Sequence, residues 1–322
     1  MDLRRFIALG AIVALVTACG APPAASSAAA TAAAVAVASV AATAPAATAS
    51  AQPTGTPVAA SAQPTATPAL WSSMPAPADA GVAGAEWIAI PMPGGRTSRA
   101  AVFRPAGAGP FPVVLVWHGT EGFKTKHVQL AADLAPAGVV AVATCWYAGN
   151  YEGPTSGPQA QPPTTALDGV TCPGGPDFTE SFTSATMQGL RALVAAARSL
   201  PGVRADRVGL LGHSRGSVAA IAVAATTPGI GAVVAAAGYP DPAVSYLATL
   251  STPVLMLQGT DDDFYPNDAQ QPRAFEKAMV AAGKNIRSRY FDGAPHHLAF
   301  LPPWHDEVVR LASAFFKERL AP

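Results

Sequence analysis

The sequence has little charge, few cysteines and, after its first residues, no long hydrophobic run. Twenty lysine and arginine residues balance twenty aspartate and glutamate residues, and charged residues make up only 12% of the chain. Because there is no basic stripe, the sequence gives no sign of nucleic-acid binding. The lack of a second hydrophobic span argues against a multipass membrane protein. No His-x-x-x-His pair occurs, so the usual zinc-hydrolase motif is also absent.

Residues 1–19 have the pattern of an export signal. Arg4 and Arg5 precede an apolar run, 6–16, that is too short to span a bilayer. The run ends in Val16-Thr17-Ala18-Cys19, which resembles a bacterial lipobox and predicts a lipid on Cys19. The alternative is an ordinary signal peptide in which Cys19 is incidental. Both interpretations predict export, and we favour a lipoprotein anchored to a membrane on its extracytoplasmic side.

Residues 20–80 consist almost entirely of small residues and proline, chiefly Ala, Pro, Ser and Thr. Such a segment cannot bury enough apolar surface to offset its ordering entropy, and its prolines favour an extended spacer. We therefore predict a disordered linker over 20–80. Residues 81–322 then form one folded domain, which is long enough for a single hydrophobic core.

The chain contains three cysteines. If Cys19 carries lipid, Cys145 and Cys172 remain, and in an oxidising compartment such a pair predicts a disulfide. On the chain-entropy model that bond would stabilise the fold by about 3–4 kcal/mol. Two buried free thiols are the alternative. Neither cysteine lies in a turn of the kind that carries a nucleophile, so we expect no cysteine nucleophile.

The domain is organised around Gly212-His213-Ser214-Arg215-Gly216, a G-x-S-x-G sequence. An apolar run, 208–211, precedes it, and an Ala- and Val-rich stretch, 217–225, follows it. Strand, turn and helix in this order are the context of a nucleophile elbow, which predicts Ser214 as the nucleophile. The backbone N–H of Arg215, at the helix N-terminus, would then stabilise an oxyanion. The alternative, a purely structural turn, is weakened by the acid and histidine that follow.

Short apolar runs alternate with amphipathic stretches through the rest of the domain. We predict strands over 86–92, 99–104, 112–117, 138–145, 208–211, 230–236, 253–258 and 286–291. We predict helices over 127–135, 180–200, 217–225, 273–282 and 307–320. Buried strands that alternate with helices predict an α/β fold with a mostly parallel central sheet and helices on both faces.

Polar residues follow the last two predicted strands. Three aspartates occupy 261–263, and His296 and His297 come after the next strand. Open α/β sheets hold their chemistry at the carboxyl ends of strands. The order Ser, Asp, His is that of the α/β-hydrolase triad, so a base for Ser214 is a better interpretation of the histidine pair than a metal site.

A long irregular segment, 146–179, interrupts the pattern after one of the buried strands. Loops of this length in a compact domain are uncommon and usually functional. Trp146 and Tyr147 begin the segment and could line a substrate pocket. The alternative is that both aromatic residues are ordinary packing beneath a loop.

On these motifs the chain resembles the α/β hydrolases and, within them, the dienelactone hydrolase family, from about residue 87 to residue 320. The resemblance rests on His118-Gly119, the elbow, Gly259-Thr260-Asp261-Asp262 with Pro266, and Gly293-Ala294-Pro295-His296. It implies an α/β-hydrolase fold with a triad of Ser214, Asp262 and His296. It also implies that the N–H of Thr120 is the second oxyanion donor. His118 and His213 are expected to support the turns.

The resemblance has one departure that bears on the substrate. Dienelactone hydrolases use a cysteine nucleophile, whereas this elbow carries serine, which favours ordinary carboxylic esters. That reaction needs no metal and no organic cofactor. The alternatives are a prolyl-oligopeptidase-like peptidase, a cutinase-like polyester hydrolase, and an inactive hydrolase fold that serves as a surface binding protein.

Overall fold

The computed structural model describes residues 69–77, 81–146, 165–167, 170–171, 182, 184–240 and 246–321. The predicted signal peptide lies outside these residues, as do Cys19, Tyr147, Cys172 and most of the predicted linker. No helix in these ranges is both long and apolar enough to cross a membrane.

Strands and helices alternate along the described chain. The strands are β1 (Ser72–Ser73), β2 (Glu86–Met92), β3 (Arg96–Phe103), β4 (Phe111–Trp117), β5 (Val140–Thr144), β6 (Thr165–Leu167), β7 (Val170–Thr171), β8 (Val203–His213), β9 (Ile230–Ala236), β10 (Val254–Gly259) and β11 (Ile286–Phe291). The α-helices are α1 (Thr125–Leu134), α2 (Ser184–Arg198), α3 (Arg215–Thr226), α4 (Tyr246–Thr249), α5 (Pro266–Ala281) and α6 (His305–Leu320).

The main sheet of the described residues has the strand order β1-β2-β3-β5-β4-β8-β9-β10-β11. The first strands pair antiparallel, up to β3 with β5. From β5 onward every neighbouring pair is parallel. Helices cover both faces, since α1 packs against α6 while α2 packs against α3. The predicted α/β fold with a mostly parallel sheet is therefore confirmed.

The central strands owe their burial to unbroken apolar runs. In β4, Val113 to Trp117 have no exposed surface, and all five residues of β5 are buried. A strand covered by helices on both faces needs apolar residues at successive positions rather than alternating ones. These runs form the centre of the core and hold the carboxyl ends of β4, β8, β10 and β11 at one edge of the sheet.

Several parts of the chain differ from the sequence prediction. β8 begins at Val203 rather than at 208, and α4 was not predicted. β1 pairs antiparallel with β2, so the sheet takes in residues that the sequence assigned to the linker. A two-residue strand has no periodicity to detect. α5 begins at Pro266, ahead of the predicted start, but residues 267–269 have positive φ, so regular helix starts only after them. β6 and β7 form a small hairpin within the segment predicted as irregular.

Candidate active site

Ser214 lies at the turn between β8 and α3. Its φ of 54° and ψ of −122° fall outside the regions that side chains favour, so the backbone is strained there. A Cβ on Gly212 would overlap the carbonyl of Gly216, and a Cβ on Gly216 would overlap the carbonyl of Trp117. Close packing therefore requires both glycines of the motif. The turn places Ser214 at the carboxyl end of the parallel sheet, as a nucleophile elbow does.

The acid and the histidine come from the loops after β10 and β11. Nδ1 of His296 lies 3.0 Å from Oδ1 and 2.9 Å from Oδ2 of Asp262. If this nitrogen donates to the carboxylate, Nε2 is left with a lone pair, which is the tautomer that a general base needs. Both residues are buried, with 1% of Asp262 and 4% of His296 exposed. The adjacent His297 is exposed, so Asp262 selects His296 of the pair.

Asp262 is held as a carboxylate. Burial alone would raise its pKa, but the contact with His296 and two further hydrogen bonds keep the pKa below its ordinary value. The amide of Gln258 donates to Oδ2 at 2.7 Å, and the backbone N–H of Phe264 donates to Oδ1 at 2.9 Å. Asp262 is therefore ionised at neutral pH and oriented on both oxygens.

The turn after β4 lies directly against the elbow. A Cβ on Gly119 would come within 2.9 Å of the Cβ of Ser214. Thr120 follows in this turn, and Arg215 is the first residue of α3. The two residues predicted to supply oxyanion donors therefore flank Ser214. Among the hydrogen bonds of the described residues, none joins Ser214 to His296, and such contacts commonly tighten only when substrate binds.

Trp146 supports this turn from beneath. It is 1% exposed, and its indole N–H donates to the carbonyl of His118 at 2.8 Å. Its ring stacks on His118 with centroids 5.6 Å apart. A residue buried in this way fits the packing alternative better than a pocket wall. Tyr147 and Cys172 lie outside the described residues, so the second pocket residue and the predicted disulfide of buried Cys145 stay predictions.

The sequence pattern of the dienelactone hydrolase family matches residues 98–313. The chain belongs to this family. The match contains the elbow, both triad partners and the turn after β4, and it places the chain among hydrolases. None of the curated proteins matches the chain.

Solved structures of hydrolases have the same fold as this family member. A protein from Klebsiella pneumoniae assigned as a dienelactone hydrolase is 22% identical, with a TM-score of 0.53 over 72% of this chain and 96% of its own. Esterase 2 from Thermogutta terrifontis, phosphorylated by paraoxon, is 16% identical, with a TM-score of 0.56 over 74% of this chain and 96% of its own. The propionate-bound form of the same esterase is 17% identical, with a TM-score of 0.54 over 74% of this chain and 97% of its own. At these identities the likeness establishes the fold.

A second group of charged and titratable side chains lies beside the triad, and we call it the glutamate cluster: Glu121, Lys126, His127 and His213. Oε1 of Glu121 lies 2.9 Å from Nζ of Lys126, 3.2 Å from Nε2 of His127 and 3.3 Å from Nδ1 of His213. Both imidazoles are completely buried, and 18% of the Glu121 side chain is exposed. One carboxylate oxygen thus faces three nitrogen atoms within a few ångströms of Ser214.

The neighbours of each imidazole in the glutamate cluster fix its tautomer. Nδ1 of His127 accepts from the backbone N–H of Lys124 at 3.0 Å, so Nε2 carries the proton that faces Glu121. Nε2 of His213 lies 3.2 Å from the carbonyl oxygen of His296, to which it can only donate. The elbow histidine therefore contacts the loop of the catalytic histidine.

Burial dominates the titration of these groups. It lowers the pKa of His127 to about 4 and also lowers the pKa of His213. Burial alone would raise the pKa of Glu121, but the hydrogen bond from Nε2 of His127 holds it well below the ordinary value. At neutral pH Glu121 is therefore a carboxylate, and the imidazoles of His127 and His213 are neutral.

Glu121 was not predicted as a site residue. A single glutamate in a loop carries no spacing signal. Lys126 and His127 follow it closely in the chain, but His213 of the elbow is far away in sequence. His118 and His213 were expected to support turns, and His118 fits this, since its Nδ1 lies 2.7 Å from the carbonyl of Gly119. In the described residues, Glu121, His213 and His297 form the group that could hold a metal ion, with ligand atoms within 4.8 Å of one another.

Proposed function

We propose that the protein hydrolyses carboxylic esters through an acyl-enzyme on Ser214. The observation that carries this proposal is the Asp262–His296 pair, buried and hydrogen-bonded, beside a serine on a strained elbow. Membership of a hydrolase family and the fold of the esterase from T. terrifontis support it.

In this mechanism the Ser214 hydroxyl attacks the acyl carbon while Nε2 of His296 removes its proton. Asp262 holds the imidazole in the required tautomer and stabilises the imidazolium. The N–H groups of Arg215 and Thr120 stabilise the oxyanion, and each such donor contributes about 3–4 kcal/mol in measured cases. His296 then gives the proton to the leaving alkoxide. Water attacks the acyl-enzyme with His296 again as base, and the acid is released.

Phe264 provides apolar surface at this site. It is 53% exposed, although large aromatic side chains are usually covered, and its ring centroid lies 4.3 Å from that of His296. The guanidinium of Arg215 lies 4.7 Å from the centre of the Phe182 ring. We propose that the exposed face of Phe264 contacts the acyl or alcohol group of the ester.

The first test is turnover of p-nitrophenyl esters of increasing acyl length by the full chain and by Ser214→Ala. We expect saturable hydrolysis that Ser214→Ala reduces by about 10⁴-fold or more. A peptidase would instead prefer peptide amides, and a binding protein would turn over neither class. Equal rates in both proteins would refute Ser214 as the nucleophile.

The second test traps the nucleophile. The T. terrifontis esterase is phosphorylated by paraoxon, and we expect the same reagent to leave a diethylphosphoryl group on Ser214 with release of p-nitrophenol. Mass spectrometry of the digested protein locates the group. A label on another residue, or a label that persists in Ser214→Ala, would contradict the assignment.

A further inference from the structure

Three side chains beside the proposed triad lie close together and have no role in the proposed ester hydrolysis. Glu121 lies in the turn after β4, His213 precedes Ser214, and His297 follows the catalytic histidine. Their ligand atoms lie within 4.8 Å of one another. His213 is fully buried, Glu121 is partly buried and His297 is exposed, so the group opens toward solvent on one side.

The orientation of His213 indicates what the group can bind. Its Nε2 donates to the carbonyl of His296, which leaves a lone pair on Nδ1 of the neutral ring. Within the described residues this buried nitrogen has no hydrogen-bond partner. It lies 3.3 Å from Oε1 of Glu121 without forming a hydrogen bond to it. A buried polar atom without a partner costs free energy. Histidines that bind metals commonly donate their other ring N–H to a backbone carbonyl in this way.

The spacing also suits a metal ion. Two ligands of a tetrahedral Zn²⁺ site, each about 2.0–2.1 Å from the ion, lie about 3.3 Å apart. Nδ1 of His213 and Oε1 of Glu121 are 3.3 Å apart. The third ligand, His297, is exposed, so its ring can move toward the other two. One carboxylate and two imidazoles form a known zinc ligand set that leaves a fourth position open.

We propose that Glu121, His213 and His297 form a binding site for a divalent transition-metal ion such as Zn²⁺, with the fourth position open to solvent.

Lys126 competes with the ion for this site. Its ammonium lies 2.9 Å from the Glu121 oxygen, where a second cation would be repelled. The side chain is 28% exposed and lines a pocket of about 260 Å³ together with Gln129 and Asp306. The ammonium can therefore turn toward Asp306 when an ion binds. We expect this exchange to weaken metal binding, and removal of Lys126 to tighten it.

A bound ion would also inhibit the triad, a consequence that rests on the proposed esterase function. The rings of His213 and His296 have centroids 5.2 Å apart. A dication at His213 opposes the positive charge that His296 takes up when it removes the proton of Ser214. The metal site itself does not depend on that reaction.

The experiment is calorimetric titration of Zn²⁺ into the full chain without a histidine tag, and into variants. We expect one saturable site, weakened by about tenfold or more in His297→Ala and tightened in Lys126→Met. His305→Gln is the control for adventitious binding to a histidine elsewhere, and it should leave the affinity unchanged. Glu121→Gln should weaken binding as His297→Ala does.

Binding is also measured in Ser214→Ala, so that the metal site is tested even if the protein is not an esterase. In an active protein, Zn²⁺ should inhibit ester hydrolysis at the concentrations that saturate the site, and His297→Ala should resist this inhibition. No saturable binding to the wild-type chain or to Lys126→Met up to about 1 mM, which corresponds to about 4 kcal/mol, would overturn the proposal. Wild-type affinity for Zn²⁺ in both His297→Ala and Glu121→Gln would also overturn it.

Discussion

His296 and His213 both lie near Ser214, and each faces a carboxylate with Nδ1, but they donate a proton through opposite ring nitrogens. His296 turns Nδ1 to Asp262 at 2.9 Å. His213 turns Nε2 to a backbone carbonyl at 3.2 Å and leaves Nδ1 facing Glu121 at 3.3 Å. The carboxylates differ as well. Asp262 accepts from an amide and a backbone N–H, whereas Glu121 faces an ammonium and two imidazoles.

This difference distinguishes the pair proposed for catalysis, Asp262 and His296, from a pair that supports the elbow. In the first pair the acid engages one nitrogen and leaves Nε2 for the proton of the serine. In the second pair the backbone engages Nε2, so that His213 ties the elbow to the loop of His296. The role of each histidine follows from the group to which its ring N–H donates, which is Asp262 for His296 and a backbone carbonyl for His213. Changes in the Asp262 pair should therefore alter rate, and changes in the glutamate cluster should alter stability.

The largest effect should come from removal of the catalytic imidazole. His296→Ala should lower kcat for p-nitrophenyl acetate by about 10⁴-fold or more, because no other group can take the proton of Ser214. His297→Ala is the matched control, since the neighbouring ring is exposed and Asp262 does not bind it. Without added metal it should cost less than about tenfold. Comparable losses in the two variants would mean that the base is not His296 alone.

The next largest effect should be on stability. Glu121→Gln removes the negative charge that faces the Lys126 ammonium and accepts from Nε2 of His127, and the loss of a hydrogen bond to a charged group costs about 1.5–3 kcal/mol. Urea unfolding without metal should show a loss of unfolding free energy near the lower end of this range, because part of the Glu121 side chain is exposed. Asp263→Asn, at an exposed acid in the loop of Asp262, should change the unfolding free energy by about 0.5 kcal/mol or less. A large loss in kcat of Glu121→Gln with unchanged stability would mean that Glu121 acts in catalysis rather than in support of the fold.

The buried histidines should make stability depend on pH. Burial, together with the positive charge that His127 can take, lowers the pKa of His118 to about 3. The unfolded chain, where histidine has its ordinary pKa of about 6.5, then binds more protons between the two values. Stability is therefore greatest above pH 6.5 and falls as the pH is lowered toward 3. His118→Gln should reduce the slope of unfolding free energy against pH by about 1.4 kcal/mol per unit between pH 4 and 6. An unchanged slope would mean that His118 is already protonated in the fold.

The contact between Asp262 and His296 was predictable from sequence and the glutamate cluster was not, for a physical reason. Ser214, Asp262 and His296 each follow a buried strand, and parallel strands bring their carboxyl ends together. Strand runs such as 230–236 and 286–291 were predicted with the bounds that the structure gives. Glu121 carries no comparable pattern, because its side-chain contacts join the turn after β4 to α1 and to the end of β8. The short strand β1 escaped prediction because pairing with β2, rather than periodicity, defines it.

The smallest effect should appear at Phe264, where the catalytic pair meets solvent. Its exposed ring offers apolar area to a substrate, and loss of that contact should cost about 1 kcal/mol. Phe264→Ala should then lower kcat/KM for p-nitrophenyl hexanoate by about fivefold and for the acetate by less, because a short acyl group reaches less of the ring. Phe264→Leu keeps apolar area and should recover much of the loss. Equal losses on both esters would instead mean that the ring acts by packing on His296, 4.3 Å away, and that the acyl group binds elsewhere.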